Sequence, residues 1–263
     1  MPVVCIPDPA ASLAPYHAEQ AAAEACGATL VIGDGRGDLH DADVILTSGL
    51  MPIDATVIAA LTRCRLIVRY GIGIDTIDVA AATAQGIVVA NAPTYCVEEV
   101  SDHAAALVLS LARRVSDLDR AVRTQGWAAA QGRLGGVRRL ATQTLGIVGM
   151  GRIGAAVARK LRPFVAHIIG YDPFLPNDLI AERGAEPATL EHLLRSADIV
   201  SLHVPLSAQT QGLIDAAALA LMQPTALLVN TSRGPIVDQA ALVAALAAQR
   251  LAGAALDVTA FGS

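Results

Sequence analysis

Short runs of aliphatic and β-branched residues alternate with Ala-rich stretches of helical spacing along the whole chain, the pattern of parallel strands covered by helices. The first series of runs reads "VVCIP" (Val3 to Pro7), "TLVIG" (Thr29 to Gly33), "DVILTS" (Asp43 to Ser48), "LIVRY" (Leu66 to Tyr70) and "IVVAN" (Ile87 to Asn91). These five strands predict a small α/β domain over residues 1–95. The rhythm changes in "NAPTYCVEEVSDHAAALVLSLARRVSDLDRAVRTQGW", which starts with Pro93, carries Glu98 and Glu99 early and keeps helical spacing to about Arg123. One long helix bridging two domains is expected there. A polar, Gly-rich stretch, "AAQGRLGGVRRLATQ", leads into a second strand series, "TLGIVG", "HIIGYD", "DIVSLHVP", "ALLVNTS" and "GAALDV", and so to a second α/β domain over residues 96–263. No repeat of solenoid period is present.

Composition narrows the functional classes. At 263 residues and 54% hydrophobic content the chain can bury one or two sizeable cores, which excludes a disordered protein. The net charge of -5 is spread along the chain, and its basic clusters, Arg113-Arg114 and Arg138-Arg139, are short pairs without interleaved aromatics, so no nucleic-acid partner is expected. The N-terminus "MPVVCIPDPA" has neither a basic segment nor a long apolar one, and no run approaches the roughly 18 apolar residues of a membrane helix, which points to a cytoplasmic protein with no membrane partner. Cys5, Cys26, Cys64 and Cys96 form no CxxC pair and have no His cluster nearby, so buried reduced thiols are favoured over disulfides or zinc, and no metal is expected.

The chemistry starts at "TLGIVGMGRIG", where Gly149, Gly151 and Gly154 form G-x-G-x-x-G directly after a strand and open the helix "GAAVARKL" with Arg152 and Ile153 between them. The first glycine allows the tight turn, the second lets a pyrophosphate approach the backbone, and the third lets helix and strand pack closely. The helix N-terminus then faces the phosphates. Asp172 ends the next strand, 18 residues beyond Gly154, where a carboxylate accepts hydrogen bonds from adenosine ribose hydroxyls. Its sequence neighbours, Tyr171, Pro173 and Phe174, include no Lys or Arg to compensate a 2'-phosphate, so NAD is preferred over NADP. A motif beginning at residue 149, behind a whole α/β domain, also fits a nicotinamide dinucleotide better than a flavin.

"YGIGID", "NAPTYCVEEVSDHAAALVLSLAR", "LGIVGMGRIG", "SLHVPLSAQTQGLI" and "VNTSRGPIVDQAAL" come one after another in this order. Together they resemble the D-isomer-specific 2-hydroxyacid dehydrogenase family, near its phosphoglycerate-dehydrogenase-like and C-terminal-binding-protein-like branches, from about residue 40 to residue 258. The resemblance implies a flavodoxin-like substrate domain and a Rossmann NAD-binding domain closing over a cleft, and hydride transfer between NAD(H) and a small 2-hydroxy or 2-keto acid. It implies that the turn Tyr70, Gly71, Ile72, Gly73 offers backbone N–H groups to the substrate carboxylate, although a turn that merely needs glycine is equally compatible with these residues. Arg233, just past a strand end, would hold a carboxylate or keto oxygen and is the expected catalytic residue. His203, Val204, Pro205 and Thr210 would lie along the cofactor, Thr231 and Ser232 near the nicotinamide half, and Asp257 would accept from the carboxamide. His203 is equally compatible with a structural histidine. Thr76 departs from the family, which commonly has Asn there.

The resemblance also implies a general acid, a His held by a Glu five residues after Asp257, but that position is Gly262 and no such His comes after it. From this the chain reads as C-terminally truncated, without the usual return into the substrate domain and without the last strand of the NAD domain, and as poorly active. An alternative is a non-catalytic, corepressor-like NAD(H)-binding protein or an inactive fragment. A homodimer is expected from the long helix, with further association through an exposed sheet edge at residues 253–258.

Overall fold

The computed structural model describes residues 1–9, 15–33 and 39–260. The chain divides into two compact units, Met1–Cys96 and Val97–Ser263.

In the first unit β1 (Val3–Ile6), β2 (Thr29–Ile32), β3 (Val44–Thr47), β4 (Leu66–Arg69) and β5 (Val88–Asn91) form one parallel sheet in the order β2-β1-β3-β4-β5, the flavodoxin-like arrangement. Between the strands run α1 (His17–Ala25), α2 (Ala55–Ala60) and α3 (Val79–Ala84). The last two start at carboxylate caps: Asp54 accepts from the Val57 N–H and Asp78 from the Ala81 N–H, each at 2.9 Å. Cys5, Ile45 and Ile67, register partners on three adjacent strands, are fully buried, and with Ile53 and Ile58 they belong to this unit's core.

The second unit opens with two helices where the sequence reads as one: α4 (Val97–Ala112) and α5 (Val115–Gln125). Arg114 turns left-handed between them (φ 53°), its N–H closing α4 on Leu111 and its guanidinium donating to the Arg133 carbonyl at 2.8 Å. No glycine marks this break, so helical spacing runs straight through it. After α6 (Trp127–Gly132) come β6 (Thr144–Val148), α7 (Arg152–Leu161), β7 (His167–Tyr171), α8 (Asn177–Glu182), β8 (Glu186–Pro187), α9 (Leu190–Ser196), β9 (Ile199–Leu202), α10 (Ala216–Leu221), β10 (Leu227–Asn230), α11 (Gln239–Ala247) and β11 (Gly253–Leu256). The six strands are parallel in the order β11-β10-β9-β6-β7-β8. β8 is an addition to the sequence reading; two residues long, with a proline, it suits an outer position where no further N–H is needed. Leu145, Ile147 and Ile199 on the central strands share one core cluster with Leu161 of α7, and Leu228 shares a second with Leu193 of α9, all fully buried.

Of the four cysteines, all free, only Cys5 and Cys64 are buried; Cys26 is exposed and Cys96 half-buried, so the expectation of four buried thiols holds for half of them. Among the described residues no helix is long and apolar enough to cross a membrane. Gly262 lies outside the described residues.

Candidate functional site

Parallel strands bring all their carboxyl ends to one edge, and in the second unit that edge collects the residues singled out in the sequence. Gly149 comes directly after β6, Asp172 after β7, His203 after β9, Thr231 to Arg233 after β10, and Asp257 after β11. β6 lies between β7 and β9, so the Gly149 turn occupies the point where the chain switches from one half of the sheet to the other, the usual ligand crevice of such sheets.

The three glycines of the turn answer to three different neighbours. Gly149 has φ +94° and lies against β9's continuation: an added Cβ would meet the His203 carbonyl at 2.8 Å and Val204 Cγ1 at 2.9 Å. A Cβ on Gly154 would overlap the Gly149 carbonyl oxygen outright, so the start of α7 presses directly on the turn. A Cβ on Gly151 would meet nothing within 4 Å. No protein contact requires glycine there, and the space it leaves borders the first turn of α7, where the N–H groups of Arg152, Ile153 and Gly154 have no acceptor among the described residues. An electropositive cradle that no protein atom fills, at the start of a ten-residue helix, fits a dinucleotide pyrophosphate.

Asp172 is tied to this cradle. Its carboxylate accepts from the Met150 N–H and the Phe174 N–H, both at 3.0 Å, which fixes it beside the Gly-rich turn. The Met150 carbonyl accepts from Arg183, a residue the sequence reading passed over. On β9's extension His203 is half-buried, with Nε2 2.9 Å from the Ser201 hydroxyl, and burial pushes the imidazole pKa down to about 4. It is therefore neutral near pH 7, the behaviour of a structural histidine. Val204 is buried and Pro205 exposed. Thr210 spends its hydroxyl within the loop, donating to the Pro205 carbonyl at 2.5 Å and accepting from the Ser207 N–H at 2.8 Å. Its side chain shapes that loop.

The turn that carries Arg233 is built by Asn230, fully buried at the end of β10. Its carbonyl oxygen accepts from the Ser232 N–H and its amide donates to the Arg233 carbonyl, both at 2.9 Å, while the Ser232 hydroxyl donates to the Leu202 carbonyl at 2.5 Å. The Arg233 guanidinium donates to the Ser232 carbonyl at 2.8 Å. Thr231 Oγ1 is buried without a hydrogen-bond partner, an unfilled polar position beside the expected nicotinamide half. The signal for Asn230 was present as the one polar residue closing the apolar run "ALLVN".

In the first unit, Tyr70 to Gly73 come directly after β4. The Tyr70 hydroxyl donates to Glu19 Oε1 at 3.0 Å; burial, and then that contact, raise its pKa well above the usual phenol value. Gly71 is buried, and its missing Cβ makes room for the Arg69 guanidinium, which would otherwise lie 2.7 Å away. The Gly71 carbonyl accepts from Ala92 and the Ile72 carbonyl from Asn91 Nδ2, at 3.1 and 2.7 Å. The N–H groups of Ile72 and Gly73 have no acceptor among the described residues, the arrangement an anion-binding turn needs. Thr76 places its hydroxyl in a buried position with no partner.

The sequence pattern described as "D-isomer specific 2-hydroxyacid dehydrogenase, NAD binding domain" matches residues 105–261, more than half of the chain. The chain belongs to the D-isomer-specific 2-hydroxyacid dehydrogenase family. Its second unit is the family's NAD-binding domain, and its cofactor is NAD. A glyoxylate reductase of Korarchaeum cryptofilum is 45% identical over 223 residues, 84% of this chain and 67% of that protein. A D-3-phosphoglycerate dehydrogenase of Mycobacterium leprae is 38% identical over 218 residues, 83% of this chain but 41% of that protein, so the chain spans well under half the length of that relative. Among solved structures, D-lactate dehydrogenase from Aquifex aeolicus complexed with NAD and lactic acid superposes with a TM-score of 0.87 at 28% identity, covering 98% of this chain and 77% of that one.

Proposed function

We propose that this protein is an NAD-dependent oxidoreductase acting on the CH–OH group of a small D-2-hydroxy acid, in the sense of interconverting it with the 2-keto acid. The observation that carries the proposal is the Gly151 cradle: space no protein atom fills, three unpaired N–H groups at the head of α7, and Asp172 anchored beside them. Gly151, Arg152, Ile153 and Gly154 would hold the pyrophosphate through backbone N–H groups, while Gly149, whose own N–H is spent on the Tyr171 carbonyl at 2.8 Å, shapes the turn. Asp172 would hold the adenosine ribose, and Thr231, Ser232 and Asp257 would line the nicotinamide half. NAD, when bound, would supply or take the hydride, with the accompanying proton exchanged with solvent water.

The chain's own residues do the rest. Arg233 would take the keto oxygen or carboxylate through its guanidinium and stabilise negative charge growing on that oxygen. The Ile72 and Gly73 N–H groups would take the substrate carboxylate. Asn230 keeps the Arg233 turn from collapsing by filling its two inward polar positions. His203, neutral and hydrogen-bonded to Ser201, is a wall of the site rather than a proton donor. The exposed apolar side chains Val115, Val122, Trp127 and Leu134 support a homodimer through α5, α6 and the segment after them.

Fluorescence titration with NADH and NADPH, followed by addition of glyoxylate, pyruvate and hydroxypyruvate, tests the reading. NADH should bind at least tenfold more tightly than NADPH, Asp172→Ala should erase the difference, and Arg233→Gln should abolish the response to keto acids while leaving NADH affinity within about twofold. Equal affinities for the two dinucleotides, or tighter NADH binding by Asp172→Ala, overturn the cofactor assignment. Keto acids that neither bind nor react on the NADH-loaded protein overturn the dehydrogenase assignment and leave a dinucleotide-binding protein.

A further inference from the structure

Asp257 lies just past β11, the outermost strand on its side of the described sheet; among the described residues its N–H donates to the Asn230 carbonyl at 3.0 Å, and three residues on the Ala260 N–H donates to Gln239 Oε1 at 2.9 Å. The Asp257 carboxylate is half-exposed, and a carboxylate on such a segment samples several rotamers unless something orients it. Among the described residues the group paired with it is the imidazole of His103, whose Nε2 lies 3.3 Å from Asp257 Oδ1.

His103 rides on a much firmer element. α4 packs against β10, β11 and α7, with Ala104 and Val108 fully buried in the core. Its first turns are fastened by Lys160 of α7, whose ammonium reaches the Glu98 carbonyl at 2.9 Å, the Ser101 hydroxyl at 2.7 Å and Asp102 at 2.6 Å. His103 is the next residue along. An imidazole on a braced helix facing a half-exposed carboxylate just past an edge strand is the geometry of a prop. We propose that His103 is a positioning residue that holds the Asp257 carboxylate in the orientation needed to accept from the nicotinamide carboxamide. This rests on the cofactor placement of the preceding subsection. His103 touches neither cofactor nor substrate in this scheme; it acts through Asp257 by removing rotamers before binding, so that less ordering is left to do when the dinucleotide arrives.

The size of the effect is set by exposure. Both side chains are about half exposed, so the contact is solvent-screened, and its loss should weaken binding by about two- to fivefold rather than by orders of magnitude. The test uses the full chain and two ligands, NADH and ADP-ribose, which share everything except the nicotinamide end. His103→Leu should weaken NADH by that factor and leave ADP-ribose unchanged. His103→Gln, whose amide offers an N–H group toward Asp257, should recover most of the loss. In an Asp257→Asn background His103→Leu should add nothing further. Equal losses for both ligands would show that His103 merely supports the fold, and an unchanged NADH affinity, or a full effect persisting in Asp257→Asn, would equally overturn the inference. If the parent protein binds NADH no more tightly than ADP-ribose, the placement of Asp257 at the nicotinamide falls, and the inference with it; if the parent discriminates but the His103 variants do not differ from it, only the inference falls.

Discussion

The protein contains two glycine turns with the same local grammar, each a parallel strand running into Gly-x-Gly at a sheet's carboxyl edge, and they are built on different principles. In the first unit Gly71 is small because a side chain, the Arg69 guanidinium, occupies the space beneath it. In the second unit Gly154 is small because backbone, the Gly149 carbonyl oxygen, occupies the place a Cβ would take. A guanidinium at the end of a long stem can swing aside; a carbonyl locked between β6 and α7 cannot. The first turn is thus adjustable and the second rigid. The two turns also differ in their supply of donors: α7 brings a helix N-terminus to the second, whereas the first offers only its own N–H groups.

Alanine substitution should expose the contrast most sharply. Gly154→Ala should abolish measurable NADH binding and destabilise the second unit by several kcal/mol, on the order of the upper range for overpacking a tight interior. Gly71→Ala, forcing only Arg69 to move, should cost about 1 kcal/mol and leave NADH affinity unchanged. Comparable losses in thermal melts of the two variants would break the comparison. Gly151→Ala sharpens it further: with no protein atom to meet, it should melt like the parent, yet lose NADH affinity by about tenfold or more because the added methyl stands in the cradle.

Acid should act next, and on the rigid side. His203 has a folded pKa near 4, below its unfolded value of 6.5, because burial disfavours its charged form. The unfolded state therefore binds the extra proton first. Stability from this group is complete above about pH 6.5 and drains away as pH falls toward 4, by roughly 2 to 3 kcal/mol across that window. His203→Gln should flatten the pH dependence of the melting temperature between pH 6.5 and 4. An unchanged slope would show that His203 titrates normally in the folded protein.

The smallest expected effect lies on the adjustable side. The Thr76 hydroxyl is buried and unpartnered, so it contributes desolvation without a compensating bond. Thr76→Val, nearly isosteric, should leave stability unchanged or raise it by up to about 1 kcal/mol in chemical denaturation. A clear loss would mean that the hydroxyl has a partner, such as a bound water, that holds the segment after the Gly71 turn.

Much of this was legible from the chain alone, for identifiable reasons. Strand positions came through because buried parallel strands are apolar throughout and leave few alternatives. The Gly149 turn and Asp172 were legible because the dinucleotide fingerprint asks for glycines at the pyrophosphate and a carboxylate at the ribose at a nearly constant separation. The break between α4 and α5 was not, since it depends on one arginine adopting a left-handed conformation that its sequence neighbours do nothing to announce. Nor were Asn230 and Arg183 marked as supports of the turns they hold. Each acts through a partner dozens of residues away or through a turn's interior, and side chains used that way look in sequence like ordinary polar residues.

The sequence by itself determined the two α/β units, the succession of their ten longer strands, and the family's cofactor, because hydrophobic periodicity and the glycine motif are local properties written in consecutive residues. Only the tertiary structure decided which glycines are obligatory and which leave room for a ligand, that Thr210 shapes a loop and His203 is kept neutral, and that a histidine on one helix faces a carboxylate at the end of a distant strand. Those outcomes depend on what packs against each group in three dimensions, and burial and contact across long sequence separations have no local signature.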